Sequence, residues 1–156
     1  MSLKPTNNLS RWQFLVLLLG IGWGGPQVAF ASAPAETRVQ AVLVWGTNDT
    51  QPGGKSLKEL DTKLRERLAN IFKWRNYFEV NRMAASVAPN KPQTVKLNDD
   101  CSVEIKILPE NHAEVRLISK GKTKVTQRHS LAKPDALVLA GDDKNNTAWF
   151  VVLSFN

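Results

Sequence analysis

The hydrophobic positions of the chain form several short runs and one stripe with helical spacing. Residues 38–45 (RVQAVLVW) are mostly β-branched or aliphatic and end at Gly46, which predicts a strand. Residues 101–108 alternate apolar and polar side chains, as a half-buried strand does. Residues 136–140 and 147–155 are the most apolar of the predicted strands, and we expect both to be central in a sheet.

Four further segments have weaker strand patterns. They are residues 77–83, 93–98, 113–117 and 122–131. The last of these is polar, so we expect it at a sheet edge. Residues 84–92 contain two prolines and are expected to be a loop or an irregular edge.

One segment has the periodicity of an amphipathic helix. Ser56 and Glu59 have the spacing of a capping box, which predicts that the helix begins at Ser56. Apolar side chains then recur at three- and four-residue steps, and charged side chains fill the opposite face. The pattern predicts that the helix ends near Lys73 or Trp74. The apolar stripe consists of Leu57, Leu60, Leu64, Leu68, Ile71 and Phe72.

One helix and about eight strands define an α+β, mostly-β domain. We expect antiparallel, sandwich-like sheets with the amphipathic helix packed on one face. The pattern assigns residues 38–156 to this single domain, residues 32–37 to a short linker, and residues 1–31 to a targeting segment.

Residues 1–31 have the three parts of a secretory signal peptide. Lys4 and Arg11 supply positive charge, and residues 12–23 form an apolar run shorter than the ~20 residues that span a membrane. Small residues follow, and we expect cleavage after Ala31, because a later cut would place Pro34 directly after the scissile bond. The alternative is an uncleaved N-terminal anchor. Cleavage would make the protein periplasmic or secreted in a bacterium.

Charge and cysteine content narrow the function classes. Loss of Lys4 and Arg11 with the signal leaves 19 of the 21 basic residues against 14 acidic ones, a net charge of +5. This charge permits contact with anionic envelope polymers or membrane surfaces. Because export separates the protein from genomic nucleic acid, we predict no nucleic-acid partner. Cys101 is the only cysteine, so the domain has no internal disulfide and depends on its core.

Two loops imitate ligand-binding motifs. Gly54-Lys55-Ser56 resembles the end of a phosphate-binding loop, but the glycine that such a loop needs five positions earlier is Asp49. Residues 141–146 (GDDKNN) collect oxygen ligands, yet the sixth-position glycine and closing glutamate of a calcium loop are missing. Both loops are typical of turns, and we predict no metal and no cofactor.

Catalytic groups are sparse as well. His112 and His129 are the only histidines, and each lacks a nearby histidine, cysteine or paired carboxylate in sequence. Cys101 shares its predicted strand face with Val103 and Ile105, which favours a buried, inert thiol. A dyad of Cys101 with either histidine could form only in space. The sequence therefore predicts that the protein is not an enzyme.

Two surfaces combine features that binding sites use. Residues 72–78 interleave aromatic and cationic side chains, although a helix-to-strand corner whose rings cover the core gives the same pattern. A hairpin that turns at residues 119–122 places several cations together, although lysines at an edge strand also prevent unwanted pairing. The candidate interaction residues are Phe72, Lys73, Trp74, Arg75, Tyr77, Arg116, Lys120, Lys122, Lys124 and Arg128.

The order of these segments resembles a loose group of small exported bacterial β-rich proteins to which no activity is assigned. The resemblance covers most of residues 39–153 and consists of hydrophobic spacing. It implies export and one β-rich domain. The segments that carry it are VQAVLVWGTND, LDTKLRERLANIFKWRNYFEV, VKLNDDCSVEIKIL, ALVLAGDD and TAWFVVL.

The sequence thus favours an exported, non-enzymatic binding or assembly domain of the cell envelope. The expected partner is an envelope protein bound by strand addition, for which the edge at residues 112–131 and the loop at residues 46–55 are further candidate surfaces. A weak electrostatic binder of anionic envelope polymer or membrane surface is the alternative. An enzyme of unknown type is a further alternative.

Overall fold

The structure is a computed structural model that describes residues 35–50, 57–133, 135–141 and 147–156. They belong to one compact unit, Ala33–Asn156. The described strands are β1 (Thr37–Thr47), β2 (Lys58–Glu59), β3 (Asn76–Val87), β4 (Gln93–Lys96), β5 (Cys101–Leu108), β6 (His112–Ser119), β7 (Lys122–Ser130), β8 (Leu137–Ala140) and β9 (Thr147–Phe155), and the helix is α1 (Thr62–Ile71).

The strands form two antiparallel sheets. The five-stranded sheet has the order β2-β3-β1-β9-β8, and the four-stranded sheet has the order β4-β5-β6-β7. The expected α+β, mostly-β sandwich is therefore confirmed.

The larger core lies between the two sheets. The five-stranded sheet contributes side chains such as Leu43, Val151 and Leu153, and the four-stranded sheet contributes side chains such as Val103 and Val115. Along β5 and β6 every second side chain enters this core, while the alternate ones face outward.

A second core lies on the outer face of the five-stranded sheet. There α1 places Leu68 against Val44, Phe150 and Val152 of β1 and β9. The middle of both strands is therefore buried on both faces. This double burial explains their continuous apolar runs, because a sheet with one wet face would alternate.

The predicted start of the helix is wrong. The helix begins at Thr62, and Asp61 is its N-cap, accepting a hydrogen bond from the Leu64 N–H at 3.0 Å. Glu59 lies in β2 and pairs with β3, so it cannot complete a capping box. Ser56 is outside the described residues. The helix ends at Ile71, two residues before the earlier of the two expected ends.

Other differences concern the sheet edges. β9 is a central strand as expected and lies between β1 and β8, but β8, also expected to be central, is an edge strand. β3 continues to Val87, through part of the segment expected to be irregular, because it pairs with β1 as far as Thr37. β7 is an edge strand, as its polar sequence predicts.

Candidate functional site

An open cavity of about 370 Å³ lies between the sheets at one end of the sandwich. We call it the mouth site. Its floor is Leu43, Leu117 and Val151, and its opening is bordered by Trp149, Lys120 and Lys124. The three floor residues are almost completely buried. The site therefore combines an apolar interior with a partly cationic rim.

Trp149 forms an aromatic wall of the mouth site. It is the register partner of Trp45, and the two rings stack with centroids 6.0 Å apart and an angle of 15° between their planes. The Gly141 N–H donates to the Trp149 carbonyl at 2.7 Å, which fixes the strand end beside the ring. Trp149 is nevertheless 40% exposed, a high value for so large an apolar side chain.

Two adjacent turns build the rim. Lys120 and Gly121 both have positive φ, at 50° and 72°, as in the two-residue hairpin turn that matches strand twist. The Lys120 N–H donates to the Asp100 carbonyl at 2.8 Å. This bond joins the β6–β7 turn to the β4–β5 turn, so the backbone carrying Lys120 and Asp100 is fixed at the opening.

Cys101 lines the mouth site but has no histidine near it. Its thiol is half-buried, and this burial raises its pKa. Cys101 pairs with Ser119 at one end of the β5–β6 ladder, whereas His112 pairs with Leu108 at the other end. Seven residues at ~3.4 Å each separate the two positions by about 24 Å. His129 pairs with Ala113, also at the far end. The structure therefore does not form the Cys–His dyad.

Both histidines have local partners at that far end. The His112 Nδ1 lies 2.7 Å from the Glu110 carbonyl oxygen. The His129 ring stacks on Phe155 with centroids 5.5 Å apart, and its Nε2 lies 3.2 Å from the Asp135 carbonyl oxygen. These local contacts explain the positions of both histidine rings without a catalytic role.

The aromatic residues between residues 72 and 78 belong to the second core. Trp74 and Tyr77 are buried, and Phe72 is partly buried with its ring 4.4 Å from that of Phe150. The structure therefore places these three rings in a helix-to-strand corner and not on an interaction surface. Only Lys73 and Arg75 of the candidate residues in this segment are exposed.

The basic residues of the β6–β7 hairpin divide into two groups. Arg116 donates to Glu104 at 3.0 Å and to Glu114 at 2.7 Å, and Arg128 is the register partner of Glu114. This outer-face group is interleaved with carboxylates. Lys120, Lys122 and Lys124 are exposed at the other end of the hairpin, where Lys120 and Lys124 reach the mouth site. The five cations therefore do not form one stripe.

The β7 edge has features that oppose strand addition. Its exposed lysines discourage pairing with another chain, and the register shift between Leu117 and Ile118 marks a bulge against β6. Strand addition along β7 is therefore disfavoured on physical grounds.

The two loops that imitate ligand sites lie largely outside the described residues. The structure does not describe residues 51–56 of the first loop or residues 142–146 of the second. Within the part of the chain that the structure describes, no three His, Cys, Asp or Glu side chains meet as metal ligands would. None of the described helices has the length and apolar character needed to cross a membrane.

Comparison with known proteins gives no relative. No protein-family model, curated protein or solved structure matches the chain. The mouth site is therefore interpreted from its own chemistry.

Sequence reasoning missed the principal residues of this site. Trp149 is visible only as part of an apolar strand, and Leu43 and Leu117 look like any core residues. One weak sequence signal for the site exists. Trp45 lies near the end of one apolar strand and Trp149 near the start of another, and each is close to a polar loop. This signal becomes informative only when the β1–β9 register is known.

Proposed function

We propose that this protein is an exported, non-enzymatic binding domain of the bacterial cell envelope, and that it binds a small molecule at the mouth site. The observation that carries the proposal is the cavity itself, about 370 Å³ in volume with an apolar floor and a few polar groups at its opening. These are the size and lining typical of small-molecule sites.

The chemistry of the cavity favours binding over catalysis. Cys101 lines the cavity, but burial raises the pKa of its thiol and both histidines lie at the other end of the sandwich. An activated cysteine would need the opposite environment, with a lowered pKa and a neighbouring base. Trp149 and the leucines offer contact area rather than reactivity.

A neutral fluorescent probe, N-phenyl-1-naphthylamine, tests binding at the mouth site. We expect saturable, one-to-one binding to the protein purified after export of the full chain. Cys101→Trp should fill the cavity and remove this binding. Ser102→Trp is the matched control, because the next residue of β5 faces the opposite side of the sheet. Near-ultraviolet circular dichroism checks that both variants keep the native packing.

A second measurement does not depend on a folded variant. If the probe occupies the mouth site, it should slow the alkylation of the wild-type Cys101 thiol, which lines that cavity. Absence of saturable probe binding, or binding that leaves the alkylation rate unchanged, would contradict the proposal.

Export is tested by the mass of the mature protein. Expression of the full chain in a bacterium should deliver to the periplasm a product that begins at Ser32, since Ala31 precedes the favoured cleavage site. An uncleaved chain that stays in the cytoplasm would contradict this part of the proposal.

An electrostatic binder of anionic envelope polymer or membrane surface is the second candidate. The exposed lysines Lys120, Lys122 and Lys124 at one end of the hairpin favour it. Binding to anionic vesicles should then weaken strongly between low and high salt, because exposed charges are screened. Salt-independent vesicle binding would contradict this candidate.

A further inference from the structure

The interior of the mouth site is suited to a short apolar chain. Leu43, Leu117 and Val151 form its floor, and the partly exposed Trp149 ring extends the apolar surface to the opening. At about 30 Å³ for each water-sized group, a cavity of about 370 Å³ holds on the order of ten such groups. A linear chain of about that many carbon atoms matches this space.

The described residues at the opening carry more positive than negative charge. Among them, Lys120 and Lys124 are cationic and Asp100 is the one carboxylate. Among the residues that the structure describes, Lys120 makes no ion pair. A negatively charged head group at the opening would thus be attracted by the Lys120 ammonium group, whereas a cationic one would be repelled by it.

We infer that the mouth site selects single-chain amphiphiles with an anionic head group, an inference that rests on the proposed function of binding at that site. The chain lies on the apolar floor, and the head group remains at the opening beside Lys120 and Lys124. A carboxylate and a phosphate share this chemistry, as in a fatty acid and a monoalkyl phosphate.

Displacement of N-phenyl-1-naphthylamine measures the selectivity. The competitors are dodecanoate, dodecyl phosphate, dodecyl maltoside and dodecyltrimethylammonium, each below its micellar concentration. Dodecanoate or dodecyl phosphate should displace the probe about tenfold more effectively than dodecyltrimethylammonium, since exposed charge pairs are worth up to ~1 kcal/mol each. Whichever of the two anions displaces the probe better identifies the preferred head group.

Charge-reversal variants assign the selectivity to the rim. Lys120→Glu and Lys124→Glu should each weaken dodecanoate binding about three- to tenfold and leave dodecyl maltoside binding unchanged. Lys91→Glu is the matched control, because it makes the same change in net charge at an exposed position far from the rim. Lys91 follows Asn90, whose N–H donates to the Ile107 carbonyl at the opposite end of β5. Its dodecanoate affinity should equal that of the wild type.

The outcomes separate the inference from the proposed function. Failure of the probe to bind would overturn both. Probe binding with equal or better displacement by dodecyltrimethylammonium would overturn the inference alone. Equal losses in Lys91→Glu and Lys120→Glu would also overturn it, because the effect would then belong to the net charge and not to the rim.

Discussion

Arg82 holds Glu79 through two hydrogen bonds to the same carboxylate oxygen, Oε2, from Nη2 at 2.6 Å and from Nε at 3.1 Å. The Glu79 side chain is only 10% exposed. Arg82 also donates to Gln40 of β1 at 2.8 Å and lies 3.7 Å from Asp61, the N-cap of α1. This guanidinium therefore connects the start of the helix to two strands of the five-stranded sheet.

Stability should fall on acidification through Glu79. The hydrogen bond from Arg82 is the main reason that the pKa of Glu79 is lowered. Because the folded-state pKa is below the unfolded value, the stabilisation is present above the unfolded pKa and is lost as pH falls through the folded one. Glu79→Gln should lower the free energy of unfolding by about 1–3 kcal/mol at pH 7. Its stability should also fall less than that of the wild type on acidification. Urea unfolding at pH 7 and at about pH 3 measures both effects.

Asp99→Asn is the control for this prediction. The pKa of Asp99 is also lowered, by a hydrogen bond from Lys96 at 2.8 Å, but both side chains are exposed to water. Solvent screening should therefore leave the stability of this variant close to that of the wild type. If Glu79→Gln lost as much stability on acidification as the wild type does, the assigned role of Glu79 would be contradicted.

A methyl group at Gly46 should destabilise the protein. A Cβ there would lie 2.8 Å from Phe150 Cε2 and 2.9 Å from Trp74 Cδ1, and both rings are buried in the second core. Gly46→Ala should therefore cost about 1–3 kcal/mol, as overpacking does. Gly141→Ala is the control, because the nearest described atom to its Cβ would be the Trp149 carbonyl oxygen at 3.4 Å. A change within about 0.5 kcal/mol is expected there, and equal losses in the two variants would contradict the explanation.

The sequence predicts the fold better than the site, and β5 and β9 explain why. The bounds expected for both strands, residues 101–108 and 147–155, match the structure, because alternation and a long apolar run are local signals. The mouth site joins Lys120 of one hairpin to Trp149 of the other sheet. That proximity depends on strand register and sheet packing, which no local pattern contains.

The helix start shows the same limit at short range. The segment before the helix contains two residue types that cap helices well, Ser56 and Asp61. The local pattern favours Ser56, because Glu59 completes a capping box. The structure uses Asp61, because Lys58 and Glu59 pair with β3 and the helix can begin only after that strand, at Thr62. A tertiary contact thus decides between two local alternatives.

Replacement of Asp61 should measure the value of this cap. Asp61→Ala removes the acceptor for the Leu64 N–H and should cost about 1 kcal/mol in urea unfolding. Asp61→Asn keeps a capping side chain but loses the charge near Arg82, 3.7 Å away. It should therefore lose less stability than Asp61→Ala. Equal losses in both variants would assign the effect to the ion pair and contradict the role of the cap.

The reactivity of Cys101 should identify it as a passive cavity residue. Burial raises the pKa of its thiol, so alkylation should be slow at neutral pH and should accelerate only above the ordinary titration range of a cysteine. His112→Ala and His129→Ala should leave the pH profile unchanged, because both histidines lie at the opposite end of the four-stranded sheet. The profile is measured with iodoacetamide by mass spectrometry. An inflection below the ordinary cysteine pKa, or a shift in either histidine variant, would revive an enzymatic role, because it would require a base beside the thiol that the observed register does not supply.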